Sequence, residues 1–289
     1  MITISSMPIY MPLRSTRHPI AFCLLTLLLL FVACRKNEDD IIADPDNIVE
    51  TLPPELVKVS TEVNPAIRGY IISLPQHYPQ TKKTYPTLVF FHGLGQIGNG
   101  DTELQYLLND GMGRLLDSGK FPPDFVLNNE HHSFLVICPQ MDTTASIEDA
   151  ESFLAFIFKN YRIDPHRLYI GGMSFGANLA TRVVAGLAKY YSALLPISGV
   201  PVTPGIESRC ERIAAANLPV WAFHNQDDPT SDVNEARDFV QRITDLQPAV
   251  LPKLTVFDVF GHDAWTTALD PSYKENGMNI YEWMLQYSR

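Results

Sequence analysis

Along the chain, short apolar runs alternate with stretches in which apolar residues recur every three or four positions. The runs are residues 67–74, 87–91, 134–138, 167–170, 193–197, 220–223 and 254–259. Several are continuously apolar and β-branched, which fits strands covered on both faces. Between them, Ile147, Ala150, Phe153, Leu154 and Ile157 repeat at helical spacing within residues 146–161, and this predicts a helix with one buried stripe. Further helices are predicted over 175–189, 233–245 and 279–287. Strands alternating with helices predict an α/β fold, a mostly parallel central sheet flanked by helices, as one domain over residues 61–289.

The N-terminus departs from this pattern. Residues 20–33 form an apolar block preceded by Arg14 and Arg17, with no acid in the first 33 positions. Fourteen residues are too few to cross a hydrocarbon core of about 30 Å, but they suit the apolar region of a signal peptide. The block ends in Phe31-Val32-Ala33-Cys34, which resembles the lipobox of bacterial lipoproteins. That resemblance implies a signal peptide over 1–33 and lipidation of Cys34. It also implies an exported chain attached through Cys34 to the bacterial outer membrane. Residues 34–60 are charged near their start and interrupted by Pro45, Pro53 and Pro54, so they are expected to form a flexible tether.

Composition narrows the partners. Lys and Arg total 22 against 32 Asp and Glu, and the formal −10 divides into +2 on the leader and −12 on the remainder. No basic footprint is left to bind phosphates, which excludes nucleic acid as a partner. Cys138 and Cys210 remain after the leader and Cys34, without the CxxC spacing of a metal or redox site. Cys138 ends an apolar run and reads as a buried free thiol. Neither a metal nor another cofactor is expected.

The chemistry concentrates at Gly172-Met173-Ser174-Phe175-Gly176, a GxSxG pentapeptide between a predicted strand and a predicted helix. A serine on so tight a turn needs small neighbours, and the helix start behind it supplies backbone donors, among them the N–H of Phe175. A hydroxyl needs a base and an orienting acid to become a nucleophile. Only His224 and His262 follow Ser174. His262 sits just past the last predicted strand, where a loop can carry the base. His224 ends the preceding strand and reads as structural. Asp227 and Asp228 compete for the acid. The histidines at 131 and 132 are expected in a solvated loop, and Trp265 either lines a pocket or packs.

With these pieces in order, the chain resembles an α/β-hydrolase of the carboxylesterase, phospholipase-like esterase and feruloyl-esterase lineage, some members of which are labelled predicted peptidases. The matching segments are Phe91-His92-Gly93-Leu94-Gly95, Cys138-Pro139-Gln140, Arg162-Ile163-Asp164-Pro165, the Ser174 pentapeptide, the stretch from His224 to Pro229, and Gly261-His262-Asp263-Ala264-Trp265. The resemblance implies Asp228 as the acid, with Asp227 as the fallback. It implies the N–H of Leu94 as the second oxyanion donor beside Phe175, and a loop fixed by His92. Asn225 and Ala177 stand where the family commonly has glycine. The stretch 199–217 is too short for a large cap domain. The implied activity is hydrolysis of carboxylic esters, on a small-molecule or polysaccharide-linked substrate such as an acylated or feruloylated carbohydrate. A serine peptidase, a polyester depolymerase and a non-catalytic surface-binding lipoprotein are the alternatives.

Overall fold

Each of the seven apolar runs contributes a strand to one eight-stranded sheet. The computed structural model describes residues 45–200 and 204–289. The strands are β1 (Glu55–Asn64), β2 (Ile67–Leu74), β3 (Tyr85–Phe91), β4 (Phe125–Leu127), β5 (Glu130–His132), β6 (Leu135–Met141), β7 (Ile163–Met173), β8 (Ala193–Ile197), β9 (Trp221–Asp227) and β10 (Lys253–Phe260). The helices are α1 (Gly111–Asp117), α2 (Ile147–Asn160), α3 (Phe175–Leu187), α4 (Ile206–Ala215), α5 (Val233–Asp245), α6 (Trp265–Ala268) and α7 (Ile280–Leu285). The sheet order is β1-β2-β6-β3-β7-β8-β9-β10. β2 runs antiparallel to both β1 and β6, and every pair from β6 through β10 is parallel.

Two apolar layers explain the continuous hydrophobic runs. Every residue of β3 and of β6 is buried, because helices cover both faces. On one face α2, α3, α4 and α5 pack through residues such as Phe153, Ile157, Val183, Ile213 and Phe239. On the other, Met112, Phe125, Trp265 and Tyr281 form the second core. At about 25 cal/mol per Å² of apolar surface, each such large side chain contributes roughly 2 kcal/mol. α2 begins where the sequence predicts, with Ser146 accepting from the Asp149 N–H and the Asp149 carboxylate accepting from the Ser146 N–H. That reciprocal cap satisfies donors that the first helical turn leaves free.

The structure corrects the tether boundary. The leader, Cys34 and residues up to 44 lie outside the described residues, but the domain begins well before residue 61. β1 pairs with β2 from Glu55 to Asn64. Val57, Val59 and Val63 pack against the core while Lys58, Ser60 and Glu62 alternate with them. This is the period-two signal of a half-buried edge strand. Upstream, the buried Glu50 carboxylate accepts from the His77 N–H at 3.1 Å and lies 2.9 Å from His77 Nδ1. His131 and His132 are likewise not a loop pair. They belong to a hairpin, β4–β5, whose turn residues Asn128 and Asn129 both adopt positive φ, as the type I′ two-residue turn requires.

Candidate active site

β7 ends at Met173 and α3 begins at Phe175, leaving Ser174 alone on the turn. Its φ is +52° and its ψ −119°, a conformation that costs a residue with a side chain about 1–3 kcal/mol. The surroundings impose it. The Ser174 N–H donates to the Ile197 carbonyl at 2.9 Å. A β-carbon on Gly172 would sit 2.4 Å from the Gly176 carbonyl oxygen, and one on Gly199 would sit 2.2 Å from that of Ser174. Glycine on both sides is therefore a packing requirement of the turn.

Strand ends at the same sheet edge supply the other groups. Asp228 follows β9, and its side chain is fully buried. Its Oδ1 accepts the backbone N–H of Thr230 at 2.8 Å and of Ser231 at 3.1 Å. Its Oδ2 lies 2.7 Å from His262 Nδ1, and His262 Nε2 lies 2.8 Å from Ser174 Oγ. These distances fit one tautomer: Nδ1–H donates to the carboxylate, and Nε2 accepts the serine hydroxyl. Asp228, not Asp227, meets the imidazole, while Asp227 is exposed. His224 is buried on the other side of the acid, with Nδ1 3.0 Å from the Asn225 carbonyl and 3.8 Å from Asp228 Oδ2, and Nε2 3.5 Å from Ser231 Oγ, so it flanks the carboxylate while His262 bridges it to Ser174. Trp265 both packs and lines the site. Its ring stands nearly perpendicular to that of His262, with centroids 5.1 Å apart, and its indole N–H donates to Asp110 at 2.8 Å.

Leu94 and Phe175 each occupy the first position of a helix, Leu94 in a short 3₁₀ turn and Phe175 in α3. The N–H at that position has no intrahelical acceptor. Three buried side chains hold the loop that carries Leu94. His92 donates through Nδ1 to the Gly93 carbonyl at 2.7 Å and accepts the Met141 N–H on Nε2 at 2.8 Å. Burial lowers the His92 pKa to about 4, so the ring stays neutral. Gln96 accepts from the Gly93 N–H and donates to the Leu107 and Asp110 carbonyls. Gln140 accepts from the Gly100 N–H and donates to the carbonyls of Gln96 and Glu103. No local pattern marks either glutamine as a loop holder, although Gln140 lies in the Cys138-Pro139-Gln140 segment.

Two adjoining clefts of about 420 Å³ each share Leu94, Ser174, Thr230 and His262. One is walled by Asn178, Ser231, Asp232 and Glu235, the other by Met173, Asn109, Asp110 and Trp265. α4 packs away from them, through Ile206, Cys210 and Ile213 into the first core. Cys138 and Cys210 are buried free thiols. Among the described residues, no group of three or more His, Cys, Asp or Glu side chains converges in a way that could hold a metal ion.

No family model and no curated protein matches the chain. Solved structures do. A thermostable esterase superposes with a TM-score of 0.52 at 19% identity, covering 82% of this chain and 64% of that one. This chain thus spans a little under two thirds of that esterase. A ferulic acid esterase gives 0.54 at 19% identity over 76% of this chain and 95% of that one. The fluorophosphonate-binding serine hydrolase F of Staphylococcus aureus gives 0.56 at 13% identity over 74% and 94%. Identities this low speak to architecture alone. The chain has the α/β-hydrolase fold.

Proposed function

We propose that this protein is a serine hydrolase of carboxylic esters, with Ser174 as nucleophile, His262 as general base and Asp228 as the residue that orients it. One observation carries the reading: His262 bridges a buried carboxylate and a strained serine hydroxyl, at 2.7 and 2.8 Å. In this reading Ser174 Oγ attacks the ester carbonyl as its proton passes to His262 Nε2. Asp228 stabilises the imidazolium through Nδ1–H. The N–H groups of Leu94 and Phe175 receive the oxyanion, and one well-placed donor of this kind is worth about 3 kcal/mol. Collapse of the tetrahedral intermediate breaks the C–O bond, and the proton on Nε2 goes to the departing alcohol. Water, deprotonated by the same nitrogen, then releases the acid and restores Ser174.

The substrate class is argued from the walls. Because α4 packs against the first core instead of roofing Ser174, bulky or polymer-attached esters have room to enter, acylated or feruloylated carbohydrate among them. The hydroxyl, amide and carboxylate groups of Asn178, Ser231, Asp232 and Glu235 suit a hydroxylated leaving group. Attachment to the membrane through lipidated Cys34 is a separate proposal. It would be read by mass spectrometry of the N-terminus and by loss of membrane association in Cys34→Ala.

A fluorophosphonate probe on the wild type and Ser174→Ala, paired with p-nitrophenyl acetate and chromogenic peptides, tests the core of the reading. The wild type should label and hydrolyse the ester, and the variant should do neither. Equal labelling of both proteins would overturn the nucleophile. Turnover of peptides without ester turnover would replace the esterase with a peptidase.

A further inference from the structure

His262 hangs from a weakly held part of the sheet. β10 is an edge strand, and its last three residues, Asp258, Val259 and Phe260, are exposed, Phe260 at 80%. The pairing with β9 is also irregular there. Phe257 pairs with Asn225, and the next partners are Phe260 and Asp227, so three steps on β10 face two on β9. A bulge of this kind interrupts the ladder and leaves the strand end poorly fixed. The residue after it, Gly261, has φ +118°, in a region that side chains rarely enter. Neither packing nor regular pairing thus fixes the peptide that precedes His262.

Two hydrogen bonds from β9 do fix it. The Gly261 N–H donates to the Asp227 carbonyl at 3.1 Å. The Gly261 carbonyl accepts from Asn225 Nδ2 at 2.8 Å. Asn225 is only 2% exposed, and its Oδ1 has no hydrogen-bond partner. Burying an amide with one end unsatisfied costs stability, so its retained contact with Gly261 needs a benefit of another kind. The same strand leads directly into Asp228, so one rigid element sets the position of the acid and, through Asn225, of the base.

We infer that Asn225 is a positioning residue for His262, which clamps the Gly261 carbonyl so that the imidazole stays between Asp228 and Ser174. The inference rests on the serine-hydrolase reading above. Positioning acts on the chemical step, since a displacement of well under 1 Å in a base is felt in rate before it is felt in binding.

Asn225→Leu tests this with little change of volume, and Asn225→Ala serves as the second variant. Each is assayed with p-nitrophenyl acetate, for inactivation rate by the fluorophosphonate, and for thermal midpoint, beside the wild type and Ser174→Ala. The expected result is a kcat lower by about tenfold with KM changed by less than about twofold, and a matching loss in inactivation rate. A purely structural role would lower the midpoint and leave kcat in place. If either variant folds and turns over within about twofold of the wild type, the clamp is wrong while the reading of Ser174 stands. If neither variant folds, Asn225 is a core residue and the positioning role is overturned. A wild type that the probe does not label at Ser174 sinks both.

Discussion

Gly176 stands so close under the end of β3 that a β-carbon there would lie 2.2 Å from the Phe91 carbonyl oxygen and 2.5 Å from that of His92. Both are backbone atoms at the exit of a fully buried strand, and neither can yield without moving the loop that carries Leu94. Alanine would gain about 1 kcal/mol of helix propensity over glycine in α3. The steric term is larger, and Gly176→Ala should destabilise the protein by about 3 kcal/mol or more. Gly95→Ala is the matched control, since a β-carbon there meets no atom within 4 Å. Thermal unfolding of the pair decides the matter: equal midpoints would mean that the serine turn is not packed as described.

The Ser174–His262–Asp228 contacts predict rate losses that do not add. Ser174→Ala should lower kcat by roughly 10⁴- to 10⁶-fold, and adding His262→Ala should lower it little further, because the residues act as a unit. Asp228→Asn should cost roughly 10⁴-fold by favouring the wrong imidazole tautomer. Asp227→Asn changes an exposed side chain that His262 does not touch, and should stay within about threefold. Steady-state kinetics on the four proteins checks this, and a larger loss at Asp227 than at Asp228 would reassign the acid.

Much of this is legible in the sequence, for a physical reason. Strands covered on both faces, such as β3 and β6, must be apolar throughout, so they announce themselves as continuous runs, and β2 and β10 carry enough apolar residues to be read as strands too. The Ser174 turn is likewise visible because only glycine tolerates the backbone contacts at Gly172 and Gly176. The acid was not decided locally, since Asp227 and Asp228 are adjacent and only the burial of Asp228 beneath His262 separates them. β1 is hidden because its packed residues, Leu56 and three valines, are set among charged and hydroxyl side chains, and the prolines upstream resemble a linker. Gln96, Gln140 and Asn225 were invisible as holders. A buried amide looks like any other amide until the carbonyl it serves is known.

The pairing of β1 with β2 predicts where the folded unit begins. A chain started at residue 61 loses Val57 and Val59 from the first core and Leu56 from the second. It also leaves β2, buried along most of its length, as a bare edge. Three half-buried side chains at roughly 1 kcal/mol each amount to about 3 kcal/mol, and an exposed apolar edge invites association. Compared with a chain started at residue 45, the shorter one should melt several degrees lower and aggregate on concentration. Light scattering and calorimetry would show it, and identical behaviour would return residues 55–60 to the tether.

His92 predicts a pH dependence of stability with a definite sign. Burial lowers its pKa from 6.5 to about 4 in the folded chain, while the unfolded chain keeps the higher value. Between those two values the unfolded state binds the extra proton and the folded state does not, so stability falls as the pH drops. The contribution is complete above 6.5 and lost progressively down to about 4, by at most about 3 kcal/mol. Geometry gives the same direction: Nε2 must keep its lone pair to accept the Met141 N–H. His92→Gln removes the titration while keeping an amide of similar reach, so the absolute stabilities of the two proteins are less informative than their slopes. Urea midpoints measured between pH 7 and pH 4.5 should decline less steeply in the variant. Parallel slopes would show that the imidazole charges freely in the fold, and the loop bearing Leu94 would then not depend on a neutral His92.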